Sequence, residues 1–145
     1  MIEAESSIEI GRPAAEVFAF IDDFTKAAEW LESCVELRQT SVAPRAEGAT
    51  LAYSHRQGGG GRMEGVVTGY QRDRRLSMKF TDPQFDVAID FRLEPATAGT
   101  TVTHACAVEP KGALAKMMAP MIRSMNERQV ESNLSRLKAL VENRG

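Results

Sequence analysis

From residue 34 to residue 109, apolar residues recur at every second position, and short polar turns interrupt them. A period of two is typical of strands that bury one face. It predicts six strands, near residues 34–42, 49–57, 62–71, 74–81, 85–94 and 100–109. The connections APRAEG, GGGG, QRDR, TDPQ and PATAG have turn composition. Because parallel crossovers need a dozen or more residues, such short links predict an antiparallel meander.

One further strand and two short helices are expected before this meander. Residues 2–10, IEAESSIEI, alternate and predict a half-buried strand. Pro13 suits the first position of a helix, and the apolar residues of PAAEVFAFIDDF recur at helical spacing. Thr25 is a candidate cap for a second short helix that carries Trp30.

The last segment, residues 112–143, is predicted to be one long helix. Methionines and Ile122 fill its first half, whereas apolar residues from Val130 to Val141 recur at spacings of four, three and four in its second half. Pro120 either kinks this helix or marks its true start. A curved sheet with one apolar face needs a cover, and this helix is the element long enough to supply it.

Length, charge and cysteine content exclude several classes of protein. A chain of 145 residues fits a single domain over residues 1–145, and a net charge of −2 argues against nucleic-acid binding. Cys34 and Cys106 suggest neither a disulfide framework nor a zinc site. The N-terminus MIEAESS lacks the basic residues of a signal peptide, and no apolar run approaches the roughly 20 residues of a membrane span. We therefore expect a reduced, cytoplasmic protein.

The order of elements, with the stretches PAAEVFAFIDDF, VTGYQRDRRLSMKF and LSRLKAL, resembles the START-like, or Bet v 1-like (SRPBCC), superfamily. It looks most like the polyketide cyclase/dehydrase branch, and the resemblance covers essentially the whole chain. This sequence has Gly69 where the family commonly has Glu, and it lacks the family's Pro-Pro turn at Arg72 and Asp73. The resemblance implies an α+β helix-grip fold. In that fold a seven-stranded antiparallel sheet curves around the long C-terminal helix, and a cavity between them takes an apolar ligand.

Strand parity predicts which side chains face this cavity. Gly65 and Gly69 are expected to point inward and leave volume unfilled, while methionines adapt to whatever fills it. An apolar pocket with a few polar groups is the usual form of a small-molecule site, although a solidly packed core is the alternative. The candidate ligand-binding residues are Trp30, Leu51, Tyr53, Met63, Val67, Met78, Phe80, Phe85, Val87, Ile89, His104, Cys106, Met118, Met121, Ile122 and Met125. On the long helix, Gln129 and Asn133 project polar groups either toward this space or toward water.

His104 and Tyr53 are the candidate catalytic residues. Imidazole titrates near neutrality and can serve as an acid or base, although a buried histidine more often has a structural role. The Tyr53 hydroxyl can donate a hydrogen bond to a ligand. Cys106 and His104 lie roughly 6–7 Å apart along one strand, which is too far for a thiol–imidazole nucleophile. Two histidines on distant strands, without paired inward carboxylates, predict no metal site, and no cofactor is expected.

The four consecutive glycines, Gly58 to Gly61, raise the question of phosphate binding. A phosphate loop leads into a helix N-terminus, but here a strand is predicted to follow. We therefore expect a mobile hairpin tip that binds no phosphate. In a meander, alternate loops lie at one end of the sheet, and the family resemblance implies that the end with this loop is the cavity mouth. It is either a gate for the ligand or a neutral loop.

Three functions are compatible with these features. The first is binding of a small apolar or aromatic ligand of lipid, polyketide or isoprenoid type, without nucleic acid and with a homodimer as a possible assembly. The second is a cyclase or dehydratase that uses Tyr53 or His104 for acid–base chemistry. The third is an interaction protein whose cavity is vestigial. The lack of a convincing acid–base pair favours the first.

Overall fold

Seven strands form one antiparallel sheet in the computed structural model, which describes residues 1–143. They are β1 (Ile2–Ile10), β2 (Cys34–Gln39), β3 (Thr50–His55), β4 (Gly61–Gln71), β5 (Arg75–Thr81), β6 (Phe85–Ala96) and β7 (Gly99–Pro110). The order across the sheet is β1-β7-β6-β5-β4-β3-β2. Strands β2 to β7 therefore pair in chain order, as the predicted meander, and β1 is the edge strand beside β7.

Two short helices connect β1 to β2. They are α1 (Ala14–Asp22), which Pro13 precedes, and α2 (Ala27–Trp30), with a 3-10 turn at Phe24–Lys26 between them. The prediction that Thr25 caps the second helix is wrong. Asp23 caps the 3-10 turn before α2, because its Oδ1 accepts the Thr25 backbone N–H at 3.1 Å, whereas the N-cap residue of α2 itself, Lys26, makes no side-chain capping bond.

The C-terminal segment divides into α3 (Ala113–Met117) and α4 (Ala119–Glu142). Pro120 lies in the first turn of α4 and so marks the start of the long helix, one of the two predicted outcomes. Every fully buried side chain of α4 lies at or after Asn126. The part of α4 from Asn126 onward therefore anchors the helix on the sheet, whereas residues 119–125 have no fully buried side chain. The helix-grip fold is confirmed.

The strand register confirms most of the predicted inward faces. Leu51 pairs with Gly65, Met78 with Ile89, and Phe91 with His104. On these strands the residues two positions away from each pair face the same side of the sheet. Gly65 does point inward, but it leaves no empty volume. A Cβ placed there would clash with the Phe80 ring, 2.6 Å from its Cε1 atom, because this ring already covers the glycine.

The predicted inward direction of Gly69 is wrong. The register changes between Val67 and Gly69, so β4 contains a bulge at this point. Gly69 consequently faces outward beside Ser77, and Tyr70 turns inward in its place. The Tyr70 ring packs edge-on against Phe18, with 5.7 Å between ring centroids.

Candidate functional site: the cavity under the C-terminal helix

A small cavity of about 50 Å³ lies between the sheet and the middle of α4. Its lining residues are Leu31, Glu32, Ser33, Leu37, Tyr53, Met78, Phe80, Ile89, His104, Cys106, Asn126, Gln129, Val130 and Asn133. Small-molecule sites usually enclose about 300–1,000 Å³. In this conformation the cavity therefore has room for a few water molecules and must widen to admit a larger ligand.

Two larger grooves, of about 590 and 520 Å³, lie on the outer face of the sheet. They are open, and charged side chains such as Glu64, Lys79 and Asp90 line them. Arg75 and Asp90 form an ion pair in the second groove, with 3.0 Å between Nε and Oδ1. Because small-molecule sites bury most of the ligand surface, which an open groove cannot do, the more enclosed cavity is the better candidate site.

His104 sits on the cavity wall in a defined hydrogen-bonding arrangement. Asn133 Oδ1 accepts the Glu32 backbone N–H at 2.9 Å, which fixes the orientation of the Asn133 amide. The amide Nδ2 therefore donates to His104 Nε2, 3.3 Å away. The imidazole proton is then left on Nδ1, which lies 3.5 Å from the Asp90 carbonyl oxygen.

This hydrogen-bonding arrangement favours a structural role for His104 over a catalytic one. Burial lowers its pKa to about 4, so the ring is neutral near pH 7. Its ring also stacks on Phe91, with 4.4 Å between centroids. Both nitrogens face protein partners, so neither is directed at a ligand. A catalytic role for His104 stays a prediction.

Tyr53, on β3, contributes a phenol to the cavity lining. Its ring lies 5.2 Å from that of Phe80 and 5.8 Å from that of His55. Burial, with smaller contributions from Cys34 and Cys106, raises its pKa well above the usual range, so the phenol stays protonated. Among residues 1–143 the hydroxyl has no hydrogen-bond partner. It is therefore available to donate to a ligand.

The helix side of the cavity is polar. Asn126, Gln129 and Asn133 lie at helical spacing on the face of α4 that lines the cavity. Asn126 donates to the Cys106 carbonyl oxygen at 2.9 Å. The Gln129 amide, by contrast, makes no hydrogen bond within the described part of the chain. Sequence reasoning missed Asn126, although an asparagine one turn before Val130 in the apolar stripe was a signal.

The predicted ligand-binding residues fall into four groups. Tyr53, Met78, Phe80, Ile89, His104 and Cys106 line the cavity. Trp30, Leu51, Met63 and Val67 are buried in the surrounding core, and Phe85, Val87, Ile122 and Met125 are half-buried. Met118 and Met121 lie on the surface, 39% and 51% exposed. The cavity lining also includes Leu31 to Ser33 and Leu37, from the link after α2 and from β2, which were not among the predicted ligand-binding residues.

The two cysteines carry no sign of reactivity. Burial raises the pKa of the Cys34 thiol to about 11 and that of the Cys106 thiol to about 12, so both stay protonated near neutral pH. Neither forms a disulfide. Among residues 1–143 no three His, Cys, Asp or Glu side chains are grouped to hold a metal ion.

The glycine-rich stretch forms the turn of the β3–β4 hairpin. Gly59 and Gly60 have φ angles of 87° and 94°, which side-chain-bearing residues rarely adopt. Strand β4 begins at Gly61, so no helix N-terminus faces the turn. The backbone N–H of Arg56 donates to the Ser33 carbonyl oxygen at 3.0 Å, which ties the hairpin to the link that lines the cavity. The role of this turn as a gate stays a prediction.

Comparison with known proteins agrees with this geometry. Residues 1–142 match the model of the family described as polyketide cyclase / dehydrase and lipid transport. No helix among residues 1–143 is both long and apolar enough to cross a membrane. No curated protein sequence matches the chain significantly.

Several solved structures share the fold at low sequence identity. A protein from Thermus thermophilus gives a TM-score of 0.78 at 17% identity over 96% of each chain. A START superfamily protein from Mycobacterium smegmatis gives 0.78 at 16% identity over 97% of each chain. The Zhui aromatase/cyclase from a Streptomyces species gives 0.77 at 13% identity over 98% of this chain and 94% of that one. These structures share the fold of this chain, and the family match over residues 1–142 shows that the chain belongs to the polyketide cyclase/dehydrase and lipid transport family.

Proposed function

We propose that this protein binds a small apolar or aromatic ligand that carries a hydrogen-bonding group, in the cavity between the sheet and α4. The observation that carries the proposal is the pair of polar groups without a partner among the described residues, the Tyr53 hydroxyl and the Gln129 amide, on a cavity lining that is apolar on the sheet side. A ligand carbonyl or phenol would satisfy one or both groups. A lipid, polyketide or isoprenoid with an oxygen function fits this description.

The cavity must widen to accept such a ligand, and the packing of α4 suggests how. From Asn126 onward the helix is held by buried side chains such as Val130, Leu134 and Leu137. Residues 119–125 have none, Met118 separates them from α3, and Ala115 is the one buried side chain of α3. Because so few buried contacts oppose its displacement, an outward swing of the segment 113–125 is the least costly way to enlarge the space.

A cyclase or dehydratase activity is the second candidate. The free Tyr53 hydroxyl favours it, because a protonated phenol can donate a hydrogen bond, or a proton, to a ligand carbonyl as a chain folds. The engaged nitrogens of His104 leave Tyr53 without an evident base as its partner. Binding therefore remains the first proposal, and turnover of a bound polyketide would promote the second.

The test begins with native mass spectrometry of freshly purified protein, which should show a co-purifying small molecule. Titration with Nile red, an apolar dye with a carbonyl acceptor, then measures the affinity of the cavity. Tyr53→Phe should weaken dye binding about 3- to 10-fold, which corresponds to one lost hydrogen bond. The measurement is equilibrium fluorescence titration.

Tyr70→Phe is the matched control for this prediction. The Tyr70 hydroxyl donates to Asp22 at 2.8 Å, and Tyr70 does not line the cavity. The control should leave the affinity unchanged. If no ligand co-purifies and neither variant alters saturable dye binding, the proposal fails and the cavity is vestigial.

A further inference from the structure

The segment around the α3–α4 junction exposes an unusual amount of apolar surface. Four of the seven exposed large hydrophobic side chains in the described part of the chain lie within residues 114–121. They are Leu114 (72% exposed), Met117 (77%), Met118 (39%) and Met121 (51%), which we call the methionine patch. Single exposed apolar residues are ordinary, but a cluster of four marks a surface that contacts something.

Positive charge accompanies the methionine patch. Residues 110–126 contain Lys111, Lys116 and Arg123 but no aspartate or glutamate, in a chain whose net charge is −2. Lys116 and Arg123 are exposed and have no ion-pair partner among residues 1–143. Lys111 is paired with Asp86, at 3.1 Å. The patch is thus an apolar surface with two free cations beside it.

We propose that the methionine patch docks this protein onto the surface of a lipid bilayer with anionic headgroups. Methionine and leucine side chains enter the boundary between headgroups and acyl chains, and Lys116 and Arg123 lie against the negative headgroups. Met117 and Met121 adapt easily to such a disordered surface because methionine is unbranched and flexible. Charge complementarity selects this occupant over a second copy, since a symmetric contact between two patches would bring the same free cations together.

The position of the patch links docking to the cavity. It spans α3 and the start of α4, and later residues of α4, between Asn126 and Asn133, line the cavity. Residues 122–125, which lie between the patch and these lining residues, have no fully buried side chain. Docking would therefore hold this loosely packed segment at the bilayer, where an apolar ligand can enter or leave. This link rests on the proposed ligand binding, whereas the docking itself does not.

Co-sedimentation with vesicles tests the docking. The wild-type protein should sediment with vesicles of equal parts phosphatidylcholine and phosphatidylserine, and much less with phosphatidylcholine alone. The double variant Met117→Ser/Met121→Ser should bind at least about tenfold more weakly, because two apolar side chains no longer leave water. Lys116→Glu/Arg123→Glu should weaken binding about tenfold or more on the anionic vesicles only.

Controls at other exposed positions separate the patch from general surface effects. Val42→Ser removes an exposed apolar side chain, and Arg72→Glu/Arg74→Glu reverses two exposed charges at the β4–β5 turn. These variants should bind like the wild type, and all variants should keep the wild-type circular dichroism spectrum.

Three results would overturn the docking proposal. One is failure of the wild type to sediment with the anionic vesicles. Another is an equal loss of binding in the control variants. The third comes from analytical ultracentrifugation: a wild-type dimer that Met117→Ser/Met121→Ser dissociates would assign the patch to a second copy of the chain.

Discussion

Replacing Gly99 with alanine is expected to lower the free energy of unfolding by about 3 kcal/mol or more. A Cβ at this position would clash with the Ile10 carbonyl oxygen and lie 2.8 Å from the Arg12 backbone nitrogen. Both are main-chain atoms that cannot rotate away. The adjacent Thr100 hydroxyl donates to the Arg12 carbonyl oxygen at 2.8 Å and holds this backbone in place. The ends of β1 and β7 would have to separate, and urea unfolding followed by fluorescence measures the cost.

Gly11→Ala is the matched control, because Gly11 lies in the same corner of the sheet. A Cβ there would be 3.5 Å from Glu142 Oε2, an ordinary contact. Neither Gly11 nor Gly99 has a positive φ, so the backbone angles of both suit alanine. The control should therefore change stability by less than about 1 kcal/mol. An equal loss in the two variants would contradict the steric explanation.

The sheet could be predicted from the sequence because a period of two is a direct consequence of strand geometry. The prediction failed where that geometry is interrupted, at the bulge between Val67 and Gly69. One additional residue reverses the faces of everything that follows in the strand. The large aromatic side chain of Tyr70, on what parity assigned as the solvent face, was the signal that the register changes there.

The helix was harder to interpret because periodicity shows that a face is apolar but not what covers it. Met118 and Met121 were predicted to line the cavity, yet they are exposed beside Met117. Pro120 explains part of this difference: it starts a new helix at Ala119 and thereby redirects the chain after α3. The burial of these residues depends on the path of the chain, which their spacing does not encode.

In the candidate site, too, the features that follow from the local sequence pattern were predicted, whereas those that depend on tertiary contacts were not. Parity placed Tyr53 and His104 on the inward face, and both line the cavity. The partner of His104, Asn133, comes from another element, so no local pattern could reveal that the imidazole is engaged. The cavity volume also depends on how the Phe80 ring covers Gly65, a packing detail that only the structure shows. Sequence therefore located the site but not its size or the state of its polar groups.

The buried imidazole makes a pH-dependent loss of stability the second large effect that we expect. Burial lowers the pKa of His104 from 6.5 to about 4 in the folded protein. Between these two values the unfolded chain binds more protons than the folded one, so the free energy of unfolding falls as the pH falls. The stability is fully present above about pH 6.5, and about 3 kcal/mol of it is lost by about pH 4.

The His104→Gln variant isolates this contribution, because glutamine has no proton to gain in this range. Near neutral pH the substitution should cost roughly 1–3 kcal/mol, since it disturbs the buried hydrogen bond with Asn133. As the pH is lowered to about 4.5, the wild type should lose most of its histidine-linked stability, whereas the variant should lose only what the carboxylates contribute to both proteins. The two free energies of unfolding should therefore converge, and urea titrations at both pH values measure this. His55→Gln is the control and should keep the acid-induced loss that His104 causes. If the free energies of unfolding of the wild type and His104→Gln instead change in parallel with pH, His104 is accessible to solvent protons in the folded state. His104 would then again be a candidate for acid–base chemistry.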